Sequence, residues 1–207
     1  MSDSIRELLP EITLAIALAW GAGLRLYAVL FLMGLAEHMG WIALPAHLAV
    51  LANPIVLAAS GFMMLVEFFA DKAPWLDSVW DAVHTFIRIP AGAALAAAVF
   101  GDSGLGVAAA AAILGGTLSA GSHLTKTGAR GAANLSPEPF SNWTLSFSED
   151  ALVPGGLWLA VAYPVAFLVL IAALAAGAFF LWRWIASGLA GLFKQLRQSG
   201  TRQMRSD

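Results

Sequence analysis

The chain has 207 residues, of which 59% are hydrophobic and only 12% are charged. Soluble domains contain about 25% charged residues, and a globule in water would not hide this much apolar surface. The net charge of −2 argues against a nucleic-acid partner, because proteins that bind nucleic acids normally have a basic face. The absence of cysteine excludes disulfides and thiolate metal sites. The composition predicts a single all-α domain over 1–207, a polytopic integral membrane bundle of helices.

The first apolar run, 12–36, is long enough to cross a hydrocarbon core of about 30 Å. A Gly-Ala-Gly sequence at 21–23, followed by Arg25, interrupts it near its middle. Two explanations are open. Either the helix breaks here and Arg25 faces the protein interior, or the glycines permit close packing and Arg25 extends to the membrane surface.

A second run, 48–70, contains an Asn-Pro pair at 53–54 that can loosen it internally. Pro74 then suits the first turn of a new helix, because its missing N–H would have no partner there. We predict that 74–88 forms an amphipathic helix, which lies along the membrane interface or enters it as a re-entrant arm. Pro90 is expected to end this helix.

The runs 91–100 and 105–118 flank a Gly-Asp-Ser-Gly turn and predict a hairpin of short or tilted helices. Residues 124–150 are predicted to form a polar loop. A helix should begin near Phe147, because Ser146 and Glu149 have capping-box spacing.

Pro164 divides the last apolar stretch, 151–184, into a shorter arm and a piece that spans by itself. The basic tail, 186–207, predicts a cytoplasmic C-terminus under the positive-inside rule. In total we expect five or six membrane-embedded helices, some of them short, broken or re-entrant.

Ionisable groups are costly in a bilayer, so the two polar segments are candidate functional sites. The first segment contributes Glu67, Asp71, Lys72, Asp77, Asp81, His84 and Arg88. From Asp77 onward the spacing is i, i+4, i+7 and i+11, which is one stripe of a helix. Its carboxylates could converge on a cation or relay protons. Alternatively, these are interfacial charges that pair with one another and with water.

A second stripe, His123, Lys126 and Arg130, is basic and could hold a phosphate or a carboxylate. It could instead belong to a positive-inside loop, or its bases could neutralise the acidic stripe across the bundle. The remaining candidate site residues are Arg25, Glu138, Glu149 and Asp150.

Signals of catalysis are weak. Asp77 and Asp81 have the D-x-x-x-D spacing with which some membrane prenyl- and phosphotransferases hold magnesium pyrophosphate, but the rest of those signatures is absent. No H-E-x-x-H, G-x-S-x-G or P-loop motif occurs in the sequence. We therefore predict no catalytic residue, and a divalent cation at these two aspartates is the one candidate cofactor.

Four stretches together resemble one family: GLRLYAVLFLMGL, VEFFADKAPWLDSVWDAVHTFIRIPAGA, the basic stripe, and SPEPFSN with SFSED. This is the bacterial membrane family catalogued as domain of unknown function 4126, and the similarity extends from the first span to the start of the last. The resemblance implies no activity. It implies a shared pattern of Glu67, Asp71, Lys72, Pro74, Asp77, Asp81, Arg88, His123, Lys126 and Arg130. The expected location is the bacterial inner (cytoplasmic) membrane, with several crossings.

These observations predict a small transporter or channel that moves an ion, or a small or lipid-linked anion, with proton or cation coupling. The polar site would be formed by 67–88 and 123–150, with carboxylates binding the cation and bases steering the anionic group. The partners would be the lipid bilayer and further copies of the chain, because so few helices enclose little volume alone. The alternatives are a metal-dependent membrane enzyme acting on a phosphorylated lipid, and a structural or scaffolding membrane protein.

Overall fold

The structure, a computed structural model, describes residues 3–133, 139–180 and 183, and all regular structure in these ranges is helical. The predicted all-α class is therefore confirmed for this part of the chain. The main helices are α1 (Asp3–His38), α2 (Pro54–Ala70), α3 (Pro74–Val99), α4 (Leu105–Ala133), α5 (Pro139–Ala162) and α6 (Pro164–Phe180). Two short 3-10 helices, Ala46–Ala52 and Gly101–Ser103, precede α2 and α4.

Three helical segments among the described residues are long and apolar enough to cross a membrane: Leu8–His38, Leu76–Val99 and Leu105–Ala133. The 3-10 helix Ala46–Ala52 and α2 meet at an angle of 68° and would form a fourth crossing if they act as one span. The break falls at the predicted Asn-Pro pair, where Asn53 caps α2 by accepting a hydrogen bond from the Ile55 amide. Length and composition thus indicate a membrane-embedded protein.

The chain divides into two compact units where the sequence predicted one domain over 1–207. The first unit, Met1–Phe167, contains α1 to α5, and all the contacts described below lie within it. The second unit, Leu168–Asp207, begins within α6. The predicted basic tail, 186–207, lies outside the described residues.

Helix α1 changes direction at Arg25, whose φ of −145° and ψ of 77° are extended, not helical. The first arm reaches the α3–α4 turn, because Ile12 and Phe100 line one apolar cavity. The second arm packs at Gly34 on the short helix Ala46–Ala52, which contacts the same turn. Both arms therefore extend from Arg25 toward the same end of the unit, so Leu8–His38 meets the criterion for a crossing by length and composition but does not run straight from one end to the other. Arg25 is buried, so of the two explanations left open by the sequence the structure has the break with an inward-facing arginine.

Small residues let α1, α3 and α4 approach closely. A Cβ added at Gly23 would overlap the Ser122 hydroxyl and the Ser119 carbonyl. These serines also join the helices, because Ser122 donates a hydrogen bond to the Trp20 carbonyl and Ser119 donates one to the Arg88 carbonyl, each at 2.9 Å. Hydroxyls that bond across helices and glycines at the contact are the usual means of helix association in lipid.

Two sequence predictions about helix ends are wrong. Helix α3 continues through Pro90 to Val99. A proline removes one intrahelical hydrogen bond, but packing against α1 and α4 and the bond from Ser119 in the same turn hold the helix together. The predicted interfacial helix 74–88 is thus the first part of a longer element.

The predicted polar loop over 124–150 is also wrong wherever the structure describes it. Residues 124–133 complete α4, and 139–150 form the first half of α5, which begins at Pro139 and not near Phe147. The charged side chains described in this segment pair with charged groups elsewhere in the unit, and several of its hydroxyls bond to carbonyls of their own helix, so their polarity does not mark a loop. Ser146 lies inside α5 and binds Arg25 instead of capping a helix.

Gly23→Ala tests the close packing of α1 on α4. Because the new methyl group would overlap atoms of two serines, we expect a loss of about 1–3 kcal/mol in the free energy of unfolding of the detergent-solubilised protein. Gly121→Ala on α4 is the control, since nothing lies within 4 Å of its added Cβ. Equal stability of the Gly23 variant and the wild type would contradict the described contact.

Candidate functional site: a buried ion-pair cluster

Eleven charged side chains from five helices and one turn meet in the first unit, and we call them the ion-pair cluster. They are Arg25, Glu67, Asp71, Lys72, Asp77, Asp81, Arg88, Lys126, Arg130, Glu149 and Asp150. Thirteen of the fourteen predicted site residues are described, namely these eleven with His84 and His123; Glu138 lies outside the described residues.

The stripe predicted on α3 faces the interior over its whole length. Asp77, Asp81, His84 and Arg88 are all buried, as their helical spacing requires. Arg88 joins α3 to α2, because its guanidinium lies 2.6 Å from the Glu67 carboxylate. It also binds Asp81, two turns earlier on its own helix, at 2.7 Å. Arg88 and Glu67 have no exposed side-chain surface.

The basic stripe of α4 meets these acids. Arg130 lies 3.0 Å from Asp77, and Lys126 lies 3.6 Å from Asp81. Lys126 also donates a hydrogen bond of 3.2 Å to the carbonyl of Leu24, which precedes the break in α1. Of the interpretations left open by the sequence, neutralisation of the acidic stripe by the basic one across the bundle is the arrangement found.

Asp71, in the turn after α2, is held by three bases. Its Oδ2 atom lies 2.9 Å from Arg25, 3.2 Å from Lys126 and 3.4 Å from Arg130. Burial by itself would raise the pKa of this carboxyl, but the three bases outweigh burial and hold the pKa below its ordinary value. Asp71 is therefore a carboxylate at neutral pH.

Helix α5 completes the cluster with two acids. Glu149 lies 3.0 Å from Arg130 and 3.3 Å from Lys126, and Asp150 lies 3.0 Å from Arg25. Ser146, one turn earlier, accepts hydrogen bonds from Arg25 at its carbonyl and hydroxyl oxygens. The sequence did not identify Ser146 as a site residue, although its spacing from Asp150 on one helix face was a usable signal.

The two histidines lie at the edge of the cluster and make hydrogen bonds instead of ion pairs. His84 donates through Nδ1 to the Trp80 carbonyl at 2.8 Å, which leaves Nε2 of the neutral ring to accept from the Tyr27 hydroxyl at 3.2 Å. His123 lies 2.7 Å from the Thr85 hydroxyl and 3.2 Å from Arg88. Tyr27 and Thr85 were not predicted from the sequence as site residues.

The buried part of the cluster carries one more acid than base. Its five carboxylates are Glu67, Asp71, Asp77, Asp81 and Glu149, and its four bases are Arg25, Arg88, Lys126 and Arg130. Lys72 and Asp150, which are half-buried, balance each other. The Oε2 atom of Glu67 is buried and accepts no hydrogen bond. A buried excess of negative charge is stabilised by uptake of a proton or a cation.

Two cavities reach the cluster. The α3–α4 cavity, of about 340 Å³, has the polar lining residues Asp77, Asp81, Thr85, His123, Thr127 and Arg130. The α2–α5 cavity, of about 210 Å³, combines charged groups with an apolar wall, and its lining includes Arg25, Glu149, Asp150, Met64, Leu65 and Phe68. Arg130 lines the first cavity and Glu149 the second, so a single ion pair of 3.0 Å connects the two.

Asp71, Asp77 and Asp81 each place one oxygen within 4.8 Å of the other two, so the structure adds a third acid to the two predicted metal ligands. Each acid is already paired, however. Arg130 lies 3.0 Å from Asp77, and Arg88 lies 2.7 Å from Asp81. A divalent cation would have to displace these bases, because cations brought together in a buried site repel one another. The donor set therefore fits a divalent cation poorly.

One protein-family model, that of the domain of unknown function DUF4126, matches residues 12–184. The chain belongs to this family. The match confirms the resemblance drawn from the sequence motifs, and its range includes every residue of the ion-pair cluster. The name DUF4126 assigns no activity. No curated protein and no solved structure matches the chain.

Replacing Arg88 by Met tests the energetic coupling within this DUF4126 cluster. Removing Arg88 leaves Glu67 without its ion-pair partner and Asp81 with Lys126 alone, so we expect a loss of about 3–5 kcal/mol in the free energy of unfolding, measured by denaturant titration in detergent. Adding Glu67→Gln to Arg88→Met should recover part of the loss. Asp102→Asn, which removes an exposed pair with His47, should change stability little. Simple additivity of the two buried substitutions would contradict the coupling.

Acid titration tests the environment of Asp71. Because its folded pKa is depressed, its ionised form stabilises the folded protein above the unfolded pKa of about 4, and this contribution disappears as the pH falls further through the folded pKa. We expect the unfolding free energy of the wild type to decline over that acid range and the decline to be shallower in Asp71→Asn. Parallel pH profiles of the two proteins would show that Asp71 is not the responsible group.

Proposed function

We propose that the chain is a small membrane transporter or channel in which the ion-pair cluster forms a gate between the α3–α4 cavity and the α2–α5 cavity. The observation that supports this most directly is the Arg130–Glu149 pair, because each partner lines one of the two cavities and they lie 3.0 Å apart. An ion that separates this pair, by binding to Glu149 in place of Arg130, moves from the α3–α4 cavity into the α2–α5 cavity.

The extent of burial favours a functional role over a purely structural one. Taking two charges out of water costs about as much free energy as their attraction returns, so apolar residues of similar size would stabilise the fold equally well. Arg25, Arg88, Lys126 and Arg130 are each at most 2% exposed. A scaffolding protein needs charges at its ends to orient it in the bilayer, but it does not need them inside.

The charge balance favours a cation as the transported or coupling ion. The buried groups of the cluster include five carboxylates and four bases, so one proton or monovalent cation would neutralise them. Glu67 offers the free buried oxygen that such an ion requires. The anion expected from the sequence would have to displace a carboxylate from a base, since every base of the cluster is already paired. Proton or cation movement is therefore the form of the proposal that we favour.

Several parts of the sequence-based hypothesis stay predictions. They are the homo-oligomer, the bacterial inner membrane, the cytoplasmic C-terminus and the lipid-linked substrate. The alternative of a metal-dependent enzyme is supported only by the mutual approach of Asp71, Asp77 and Asp81, and the bases that already hold these acids weaken it.

Flux measurements on reconstituted protein test the proposal. Proteoliposomes with an entrapped pH-sensitive dye, and in parallel rubidium uptake, report proton and monovalent cation movement. We expect Glu67→Gln and Glu149→Gln each to reduce flux by about tenfold or more, which corresponds to a barrier increase of about 1.4 kcal/mol. The Asp102→Asn protein is the matched control, because its carboxylate is exposed and lies outside the cluster.

Folding of each variant is checked by circular dichroism and gel filtration before flux is compared. Flux that equals protein-free liposomes in the wild type, or that is unchanged in both folded glutamine variants, would overturn the proposal.

A further inference from the structure

The ammonium of Lys72 lies in a site built from aromatic and oxygen atoms. Its nitrogen is 3.1 Å from the centre of the Phe68 ring and 4.7 Å from that of Phe147. It donates hydrogen bonds to the Phe68 carbonyl at 3.1 Å and to the Ser146 hydroxyl at 3.3 Å. Asp150 supplies the counter-charge at 3.5 Å. Aromatic faces combined with a carboxylate are the chemistry by which proteins recognise organic ammonium ions.

This ammonium site adjoins the α2–α5 cavity. Phe68 and Asp150 belong both to the cavity wall and to the surroundings of Lys72. The rest of the wall is mainly apolar and includes Leu32, Met64 and Leu65. A ligand with an ammonium head and a short hydrocarbon chain would place its head at Asp150 and its chain along this wall.

We propose that the α2–α5 cavity binds an organic ammonium ion with an apolar substituent, and that the Lys72 side chain occupies the ammonium position as a tethered competitor. The cavity lining carries two carboxylates, Glu149 and Asp150, against one base, Arg25, so it favours a cation over an anion. A ligand cation replaces the Lys72 ammonium charge for charge.

Lys72 is more exposed to solvent than the other bases of the cluster. It lies in the turn between α2 and α3, and 21% of its side chain is exposed, whereas the Lys126 side chain is fully buried. The Oδ2 atom of Asp150 that faces it accepts no hydrogen bond. If Lys72 moves into water, Asp150 keeps its ion pair of 3.0 Å with Arg25.

The surroundings of Lys72 also make its ammonium group more acidic. Partial burial lowers the pKa of its ammonium, and the pull of Asp150 does not fully compensate. A quaternary or strongly basic amine stays positively charged at a pH at which Lys72 has lost its proton. Higher pH thus favours exchange of the internal amine for an external one.

Butylammonium is the probe, because it reproduces the four-carbon stem and the head of a lysine side chain. Its binding to the full-length protein in detergent is measured by isothermal titration calorimetry, with butyrate and butanol as charge controls. We expect saturable binding to the wild type and binding about tenfold tighter to Lys72→Ala, because the competitor has been removed. Asp150→Asn should abolish binding, and Phe68→Leu should weaken it several-fold. Phe62→Leu is the matched control, since the Phe62 side chain is mostly exposed on the same helix.

Binding of butylammonium to Lys72→Ala but not to the wild type would overturn the proposal, because the site would then serve only the internal lysine. Equal binding of butyrate, or no binding to either protein, would also overturn it. This inference rests on the proposed function in one respect, because it names the class of ligand that enters the α2–α5 cavity. Since binding is measured without flux, amine binding with no flux would refute the transport proposal alone, and flux with no amine binding would refute this one alone.

Discussion

The convergence of three bases on Asp71 is the interaction on which the rest of the first unit depends. One carboxylate oxygen lies within 3.4 Å of bases from α1 and from α4, while the residue itself ends α2. Each base that pairs with Asp71 also pairs with an acid of α5. Lys126 and Arg130 both bind Glu149, and Arg25 binds Asp150. Four of the helices of the unit are thus joined to one buried carboxylate, and an isolated base in any of them would be unfavourable in an apolar bundle.

Bends in the chain bring these charges together. Arg25 marks the point where α1 turns, and Asp71 lies in the turn between α2 and α3. The two bends meet at 2.9 Å through their own charged residues. If the chain were straight at either position, the charged groups of Arg25 and Asp71 would lie too far apart to pair. Non-helical backbone inside an apolar bundle requires other groups to satisfy it, and Lys126 does so by binding the Leu24 carbonyl beside the break.

Periodicity and composition were sufficient to predict the helical class and the alignment of each polar stripe on one side, whereas the break at Arg25 and the burial of the stripes were each one of several open explanations. The i, i+4, i+7, i+11 spacing from Asp77 to Arg88 places these residues on one face whatever surrounds the helix. The ends of α3, α4 and α5 were not predictable in the same way. Polar residues look alike in sequence whether water or a buried partner satisfies them, so the segment 124–150 resembled a loop. The contact of Lys72 with Phe68 spans only four residues, but its ion pair with Asp150 joins distant parts of the chain and left no local signal.

The distribution of charge among the helices has a consequence for biogenesis. Helix α3 carries two buried acids and one base, whereas the buried charges of α4 are both bases, Lys126 and Arg130. The translocon meets α3 first, before the bases that pair with Asp77 and Asp81 have been synthesised. Arg88 reduces the penalty in the meantime, because Glu67 precedes it in the chain and Asp81 shares its helix. Pairing with the bases of α4 lowers the cost of burying the acids of α3, so we expect the two helices to insert together as a hairpin and Glu149 of α5 to pair with Arg130 afterwards.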